Sequence, residues 1–234
     1  KTKNAIEDNR IVATYQAIVD KNEKIVKYET LMRLQDEHSG ELILPEHFLN
    51  IAIQTGLYDT LSSIIIFEGL GKLATADGAL SFNFNYEDIV NKSFLNEIEA
   101  FFLVSPDLGK KAVFEITESE FIEDYADIKN FIRRFRKYGI EFAIDDFGSG
   151  FSNFEYILEI EPDYLKIDSS LIKHIDVDEK SFILVNAIVD FSHRLGIKVI
   201  AEYVDSAIIF EMLKKLGVDE FQGFYFSEPS QKIG

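Results

Sequence analysis

The sequence predicts an α/β fold, a modified TIM-type (β/α)8 barrel with an antiparallel first strand. Three observations carry this expectation. Short runs rich in Val, Ile, Phe and Tyr alternate with longer runs of helical period, the mark of a parallel sheet or barrel. One plan of helix, glycine stop, strand and polar end occurs three times, through Arg136-Lys137-Tyr138-Gly139, His193-Arg194-Leu195-Gly196 and Lys214-Lys215-Leu216-Gly217. Strands begin near Ile11, Ile25, Leu80, Ala112, Ile140, Tyr164, Val199 and Phe221, which makes eight.

Taken in order, Ile6–Arg10 reads as the end of a helix. The runs Ile11–Val19 and Ile25–Met32, split by the turn Asp20–Glu23, form an antiparallel hairpin. Pro45 opens a helix carrying Phe48, Leu49, Ala52 and Ile53 and closed by Gly56. A second helix covers Tyr58–Leu73, with Ile64, Ile65, Ile66 and Leu70 as core candidates. Leu80–Phe84 is a strand that places Asn83 on the same face as Asn85. An amphipathic helix over Ile89–Leu103 leads to the strand Lys111–Ile116. A helix then runs from Phe121 to Tyr138, with Ile128, Phe131, Ile132 and Phe135 on one face. Beyond the strand Ile140–Ile144 come a short helix around Tyr156 and the strand Tyr164–Asp168. The chain continues with a helix over Lys180–Leu195, the strand Val199–Glu202, a helix over Ala207–Leu216 and the strand from Phe221. No linker divides the chain, so one domain over 1–234 is expected.

Composition narrows the function classes. Of 234 residues 47% are hydrophobic, ample for a large core, and the formal net charge is −17. No basic stripe stands out, so direct DNA or RNA binding is not expected. Absence of cysteine removes disulfides and thiolate metal sites, and the four histidines form no ligand box. No apolar run reaches membrane-spanning length, and the start at Lys1 reads as excision from a longer protein.

Asp145 and Asp146 are adjacent at a strand end, ahead of Gly148-Ser149-Gly150. Two such anions repel unless a cation lies between them. In a barrel, strand C-terminal ends converge on one mouth. Seven of the eight strands deliver a polar or ionisable residue there: Glu29, Asn83, Glu115, Asp145 with Asp146, Lys166, Glu202 and Gln222. Oxygen ligands of this kind point to Mg2+ or Mn2+, two ions for a set this large, and so to displacement at phosphorus. Lys166 would orient water or neutralise transition-state charge.

The motifs around these residues resemble the EAL-domain family of cyclic-di-GMP phosphodiesterases over essentially the whole chain. They are Glu29-Thr30-Leu31-Met32-Arg33, Asn83, Glu115-Ile116-Thr117-Glu118, Asp145-Asp146-Phe147-Gly148, Lys166-Ile167-Asp168, Ala201-Glu202 and Gln222-Gly223-Phe224. The resemblance implies hydrolysis of cyclic di-GMP to linear 5'-pGpG. It assigns Glu29, Asn83, Glu115 and Asp145 to one metal and Asp145 with Asp146 to a second. It makes Glu202 a metal ligand or water-activating base and puts Lys166 on the water or metal shell. Glu118 would brace the loop after Asp146. Gln16, Leu31, Arg33 and Gln222 would hold substrate, with Arg33 on phosphate. It also implies a homodimer, upstream sensory or GGDEF modules, and a cytoplasmic domain, in a family of which some full-length members are membrane-associated.

Some residues depart from the family pattern. Thr30 stands for alanine, Ala17 for proline, Asn85 for serine and Phe151 for tyrosine. Tyr203-Val204-Asp205 stands where Gly-Val-Glu is usual. These last changes motivate an alternative, a catalytically silent cyclic-di-GMP-binding or partner-docking sensor. A third reading, from the residues alone, is a barrel lyase or isomerase with Lys166 as base.

Overall fold

In the computed structural model of the chain, residues 2–122, 125–149 and 154–233 are described. Gly150 and Phe151, both used in reading the sequence, lie outside them.

Among the described residues nine strands form the sheet: β1 Ile11–Asp20, β2 Ile25–Gln35, β3 Leu42–Ile43, β4 Ala79–Phe84, β5 Ala112–Thr117, β6 Glu141–Phe147, β7 Tyr164–Ile167, β8 Lys198–Ala201 and β9 Glu220–Gln222. Their order is β1-β9-β8-β7-β6-β5-β4-β2-β3, and the additional β1–β2 pairing closes eight of them into a barrel. β1 runs antiparallel to both neighbours, whereas the pairings from β2 through β4 to β9 are parallel. The eight expected strands and the reversed first one are therefore present. The short β3 was not expected; it pairs with the end of β2, which continues past Met32 to Gln35.

Local chemistry explains these boundaries. Asp20 accepts hydrogen bonds from the backbone N–H of Asn22 and Lys24, at 2.8 and 3.0 Å, and so folds the hairpin turn. The expected helix Ile89–Leu103 is two helices, Tyr86–Val90 and Lys92–Val104, because two asparagines start new ones. Asn85 caps the first in a capping box with Asp88, and Asn91 caps the second. Asn85 is thus a turn residue beyond the end of β4, not a strand partner of Asn83. The three repeated glycine stops take left-handed backbone, with φ of 80° at Gly139, 77° at Gly196 and 94° at Gly217.

Parity along the strands builds the barrel interior. Ile18, Val113, Ala143, Tyr164 and Ile200 form an inner apolar cluster separate from the main core. Each stands two residues from a polar residue at the mouth, respectively Gln16, Glu115, Asp145, Lys166 and Glu202. Also buried is Lys27, whose Nζ lies 2.8 Å from Glu220 Oε2 and 3.3 Å from the centre of the Tyr164 ring. The main core lies between barrel and helices and holds many of the 21 Phe, with Phe84, Phe114, Phe131 and Phe135 in ring contact. Among the described residues no helix is long and apolar enough to cross a membrane.

Glu99 ties two outer helices together. Arg134 Nε and Nη2 reach its Oε2 at 3.1 and 2.7 Å, while Lys137 Nζ and the Tyr138 hydroxyl reach Oε1 at 2.8 and 3.0 Å. The Lys137 ammonium, helped by Arg134 and Tyr138, holds this carboxyl at about 2 against an ordinary 4.5. A carboxyl depressed on folding adds stability above its unfolded pKa and loses it as pH falls toward the folded value. Replacing Glu99 with Gln should cost about 1–2 kcal/mol at pH 7, allowing for solvent screening. Urea unfolding should show the gap between wild type and Glu99→Gln shrinking from pH 4.5 down toward pH 2.

Candidate active site

The C-terminal ends of the parallel strands open into a cavity of about 360 Å3, within the usual range for small-molecule sites. Its wall includes Gln16, Glu29, Leu31, Asp145, Asp146 and Glu202. Below this wall lies Lys166, fully buried on β7. Its Nζ is 2.7 Å from Glu115 Oε2, 2.9 Å from Glu202 Oε1, 3.0 Å from Asp145 Oδ1 and 3.6 Å from Glu29 Oε2. One ammonium is therefore shared among four carboxylates supplied by β2, β5, β6 and the end of β8.

Amides complete the ring. Asn83 Nδ2 donates to Glu29 Oε1 at 2.8 Å, and Gln222 Nε2 donates to Glu29 Oε2 at 2.6 Å and Gln16 Oε1 at 3.1 Å. Gln16 faces Glu29 across the β1–β2 hairpin and donates Nε2 to the Ser227 carbonyl at 3.2 Å. The reversal of β1 is what brings Gln16 to the mouth.

The adjacent aspartates meet one region because β6 is irregular there. Its register with β7 shifts between Ile144 and Phe147, and Asp146 takes a φ of 55°. A regular strand would send the two side chains to opposite faces. Instead, carboxylate oxygens of Asp145, Asp146 and Glu202 lie within 4.8 Å of one another, as do those of Glu29, Glu115 and Asp145. These two acidic sets share Asp145.

The charges respond to this crowding. Burial opposes the Lys166 charge, yet Asp145, Glu115, Glu202 and Glu29 outweigh it and hold the ammonium well above its ordinary pKa. Burial pushes Glu115 up to about 7, with Lys166 acting the other way. Burial and the neighbouring Asp145 push Asp146 up to about 6. Glu202 is raised well above its ordinary range, chiefly by burial. Glu29 is held low despite its burial, by Lys166 and by the amides of Gln222 and Asn83.

This donor set fits a hard divalent cation. Its groups are carboxylates and an amide, and a single ammonium leaves most of their charge uncompensated. Glu115 Oε1 and Gln222 Oε1 are buried without a hydrogen-bond partner among the described residues, so unused oxygen donors are present.

Of the expected residues, Gln16, Glu29, Leu31, Asp145, Asp146, Glu202 and Gln222 line the cavity, Glu115 and Lys166 are buried beneath it, and Asn83, exposed on the wall of an adjoining pocket, reaches Glu29 from the side. Arg33 does not line it; it is buried, with Nη1 donating to the Met32 carbonyl at 2.7 Å, within electrostatic reach of Glu29. Glu118 also lies off the cavity, and its Oε2 accepts a hydrogen bond from Gly148 N–H at 2.9 Å. Ser169 lines the cavity and was missed in the sequence. Its signal was weak, a serine following the Asp168 cap just past the end of β7.

The EAL domain family model matches residues 1–229. The cyclic di-GMP phosphodiesterase PdeB of Shewanella oneidensis is 29% identical over 232 residues, covering 96% of this chain and 27% of the relative. Signaling protein YkoW of Bacillus subtilis is 32% identical over 240 residues, covering 97% of this chain and 29% of the relative. The chain thus spans less than a third of the length of either. A solved c-di-GMP complex of the PaMucR phosphodiesterase has a TM-score of 0.90 at 26% identity, covering 98% of this chain and 95% of that one. Motif content, the reversed first strand and the acidic mouth agree with these matches, and the chain belongs to the EAL domain family.

Proposed function

We propose that this chain is a metal-dependent phosphodiesterase that hydrolyses cyclic di-GMP to linear 5'-pGpG. The observation that carries the reading is the pair of acidic sets sharing Asp145 above the buried Lys166, at the floor of an open cavity. The assignment of substrate draws on the likeness to PdeB and to the PaMucR complex.

In this reading Glu29, Asn83, Glu115 and Asp145 hold one ion, and Asp145 with Asp146 the second, with Mg2+ or Mn2+ as the ions. With its Nδ2 engaged by Glu29, Asn83 has its amide oxygen left to ligate. Divalent ions bound there supply charge neutralisation at phosphorus and lower the pKa of water. Gln16, Leu31 and Gln222 hold the diester against the floor, and Arg33 stands behind them as a reserve of positive charge. Water attacks phosphorus in line and gives up a proton, the P–O3' bond breaks, and the departing O3' takes up a proton, so the product keeps a 5'-phosphate and a 3'-hydroxyl. Glu202 lies at the cavity wall, placed to accept the water proton. Lys166 fixes Glu115, Asp145 and Glu202 relative to one another. Its raised pKa keeps it protonated, which argues against the reading of Lys166 as an enolising base. Glu118 acts at a distance, fixing the loop after Asp146 through Gly148.

The second reading, a silent sensor of cyclic di-GMP, is favoured by Tyr203 and Asp205, which both line the cavity. We infer also that the chain works as one module of a longer signalling protein, on the small share of each curated relative that it covers. A homodimer is proposed on the family resemblance, with Ile183, 58% exposed on the helix Glu179–Arg194, as a candidate contact.

Chromatography of cyclic di-GMP with the purified chain should show 5'-pGpG with Mg2+ or Mn2+ and none in EDTA. Asp145→Ala, which removes the ligand common to both sets, should lower turnover by about 100-fold or more. Tight nucleotide binding with no product under any metal condition would select the sensor. Mn2+ should raise the unfolding temperature of the wild type and raise that of Asp145→Ala much less, by linkage of binding to folding. Sedimentation should show a dimer that Ile183→Glu converts to monomer, and a monomeric wild type would remove the dimer from the proposal.

A further inference from the structure

Tyr203 sits on the cavity wall in a backbone conformation poorly suited to its side chain. Its φ is 55°, left-handed backbone that glycine adopts freely and a bulky aromatic residue rarely does. The side chain does not recover that cost by burial in the core, since the residue is 43% exposed. One contact is visible on the ring: Lys173 Nζ stands 5.1 Å from its centre.

The surrounding chain holds Tyr203 at the rim. Val204 N–H donates to the Gln222 carbonyl at 2.9 Å, and Tyr225 N–H donates to the Val204 carbonyl at 3.0 Å. Gly223 packs so closely on the Val204 backbone that a Cβ there would collide with it. This contact sets Tyr203 and Phe224, which is 69% exposed, on one cavity wall. The deeper lining of the cavity is acidic, through Glu29, Asp145, Asp146 and Glu202, and its exposed lining carries the rings of Tyr203 and Phe224 together with the carboxylate of Asp205.

We propose that Tyr203 is a stacking wall for a nucleobase of the dinucleotide, and so a specificity-determining residue. The inference rests on the phosphodiesterase reading above. A phosphodiester whose phosphorus is held at the acidic floor must project its nucleosides toward the rim. A purine there presents a planar π-face, and the exposed Tyr203 ring is a matching surface. Lys173 restrains the ring on one side and adds positive charge close to the anionic ligand.

The chain contains no tryptophan, so Tyr203→Trp places a single indole reporter at this position. Cyclic di-GMP added in Ca2+ or EDTA should quench its fluorescence as the base stacks. Tyr203→Gly relieves the backbone conformation and leaves the fold intact. By calorimetry it should bind the nucleotide between about 5-fold and about 100-fold more weakly. Under turnover its KM should rise by a similar factor with kcat little changed, while Tyr203→Phe stays within about twofold of wild type. Saturating nucleotide that leaves the indole emission unchanged, or Tyr203→Gly binding as tightly as wild type or tighter, overturns the inference and leaves the phosphodiesterase reading standing. A wild-type chain that neither binds nor cleaves the nucleotide overturns both.

Discussion

The ammonium of Lys166 is the interaction on which the mouth of this barrel depends. It is fully buried, yet four carboxylates from separate strands come within 2.7 to 3.6 Å of it. An ion pair in such a place does not by itself stabilise a fold, because both partners lose water. What it does here is fix relative position. Glu29, Glu115, Asp145 and Glu202 arrive from different parts of the chain, and without a central cation their repulsion would drive them apart or protonate them. Lys166 satisfies them only in part, and the remaining negative charge is what a divalent ion can use.

Strand periodicity supplies the second half of this arrangement. Two residues below the polar ring, Ile18, Val113, Ala143, Tyr164 and Ile200 fill the barrel with apolar side chains. They exclude water beneath Lys166 and lock the strands that present the ring. The period breaks at Asp145-Asp146, where the shifted register turns a second carboxylate toward the mouth. Regular geometry builds the support, and a single irregularity completes the acidic set.

Much of this could be read in the sequence, and the reasons differ by feature. Strand count and glycine stops were legible because they depend on local chemistry, as Gly139, Gly196 and Gly217 illustrate. The acidic ring was legible because strand ends of a barrel share one location, so residues as distant as Glu29 and Glu202 could be grouped without contact information. Other features depend on packing that no local pattern encodes. Arg33, expected on phosphate, stands within a β2 that extends past it, with its guanidinium on the Met32 carbonyl, a placement no local pattern predicts. The break at Asn91 was hidden because apolar residues continue in helical period on both sides of it. Ser169 gave only a weak signal, since its place on the cavity wall follows from where β7 stops.

The reversal of β1 also decides where the chain enters. In an all-parallel barrel the first strand starts at the base, far from the chemistry. Here Ile11 pairs with Leu34, near the C-terminal end of β2, and Arg10 reaches the Gln35 carbonyl at 3.0 Å. The helix Thr2–Glu7, anchored by the buried Ala5, therefore meets the barrel on the side of the acidic mouth. That helix and the carboxylates therefore share one side of the barrel, with Gln16 on the strand that follows the helix and facing Glu29 across the hairpin.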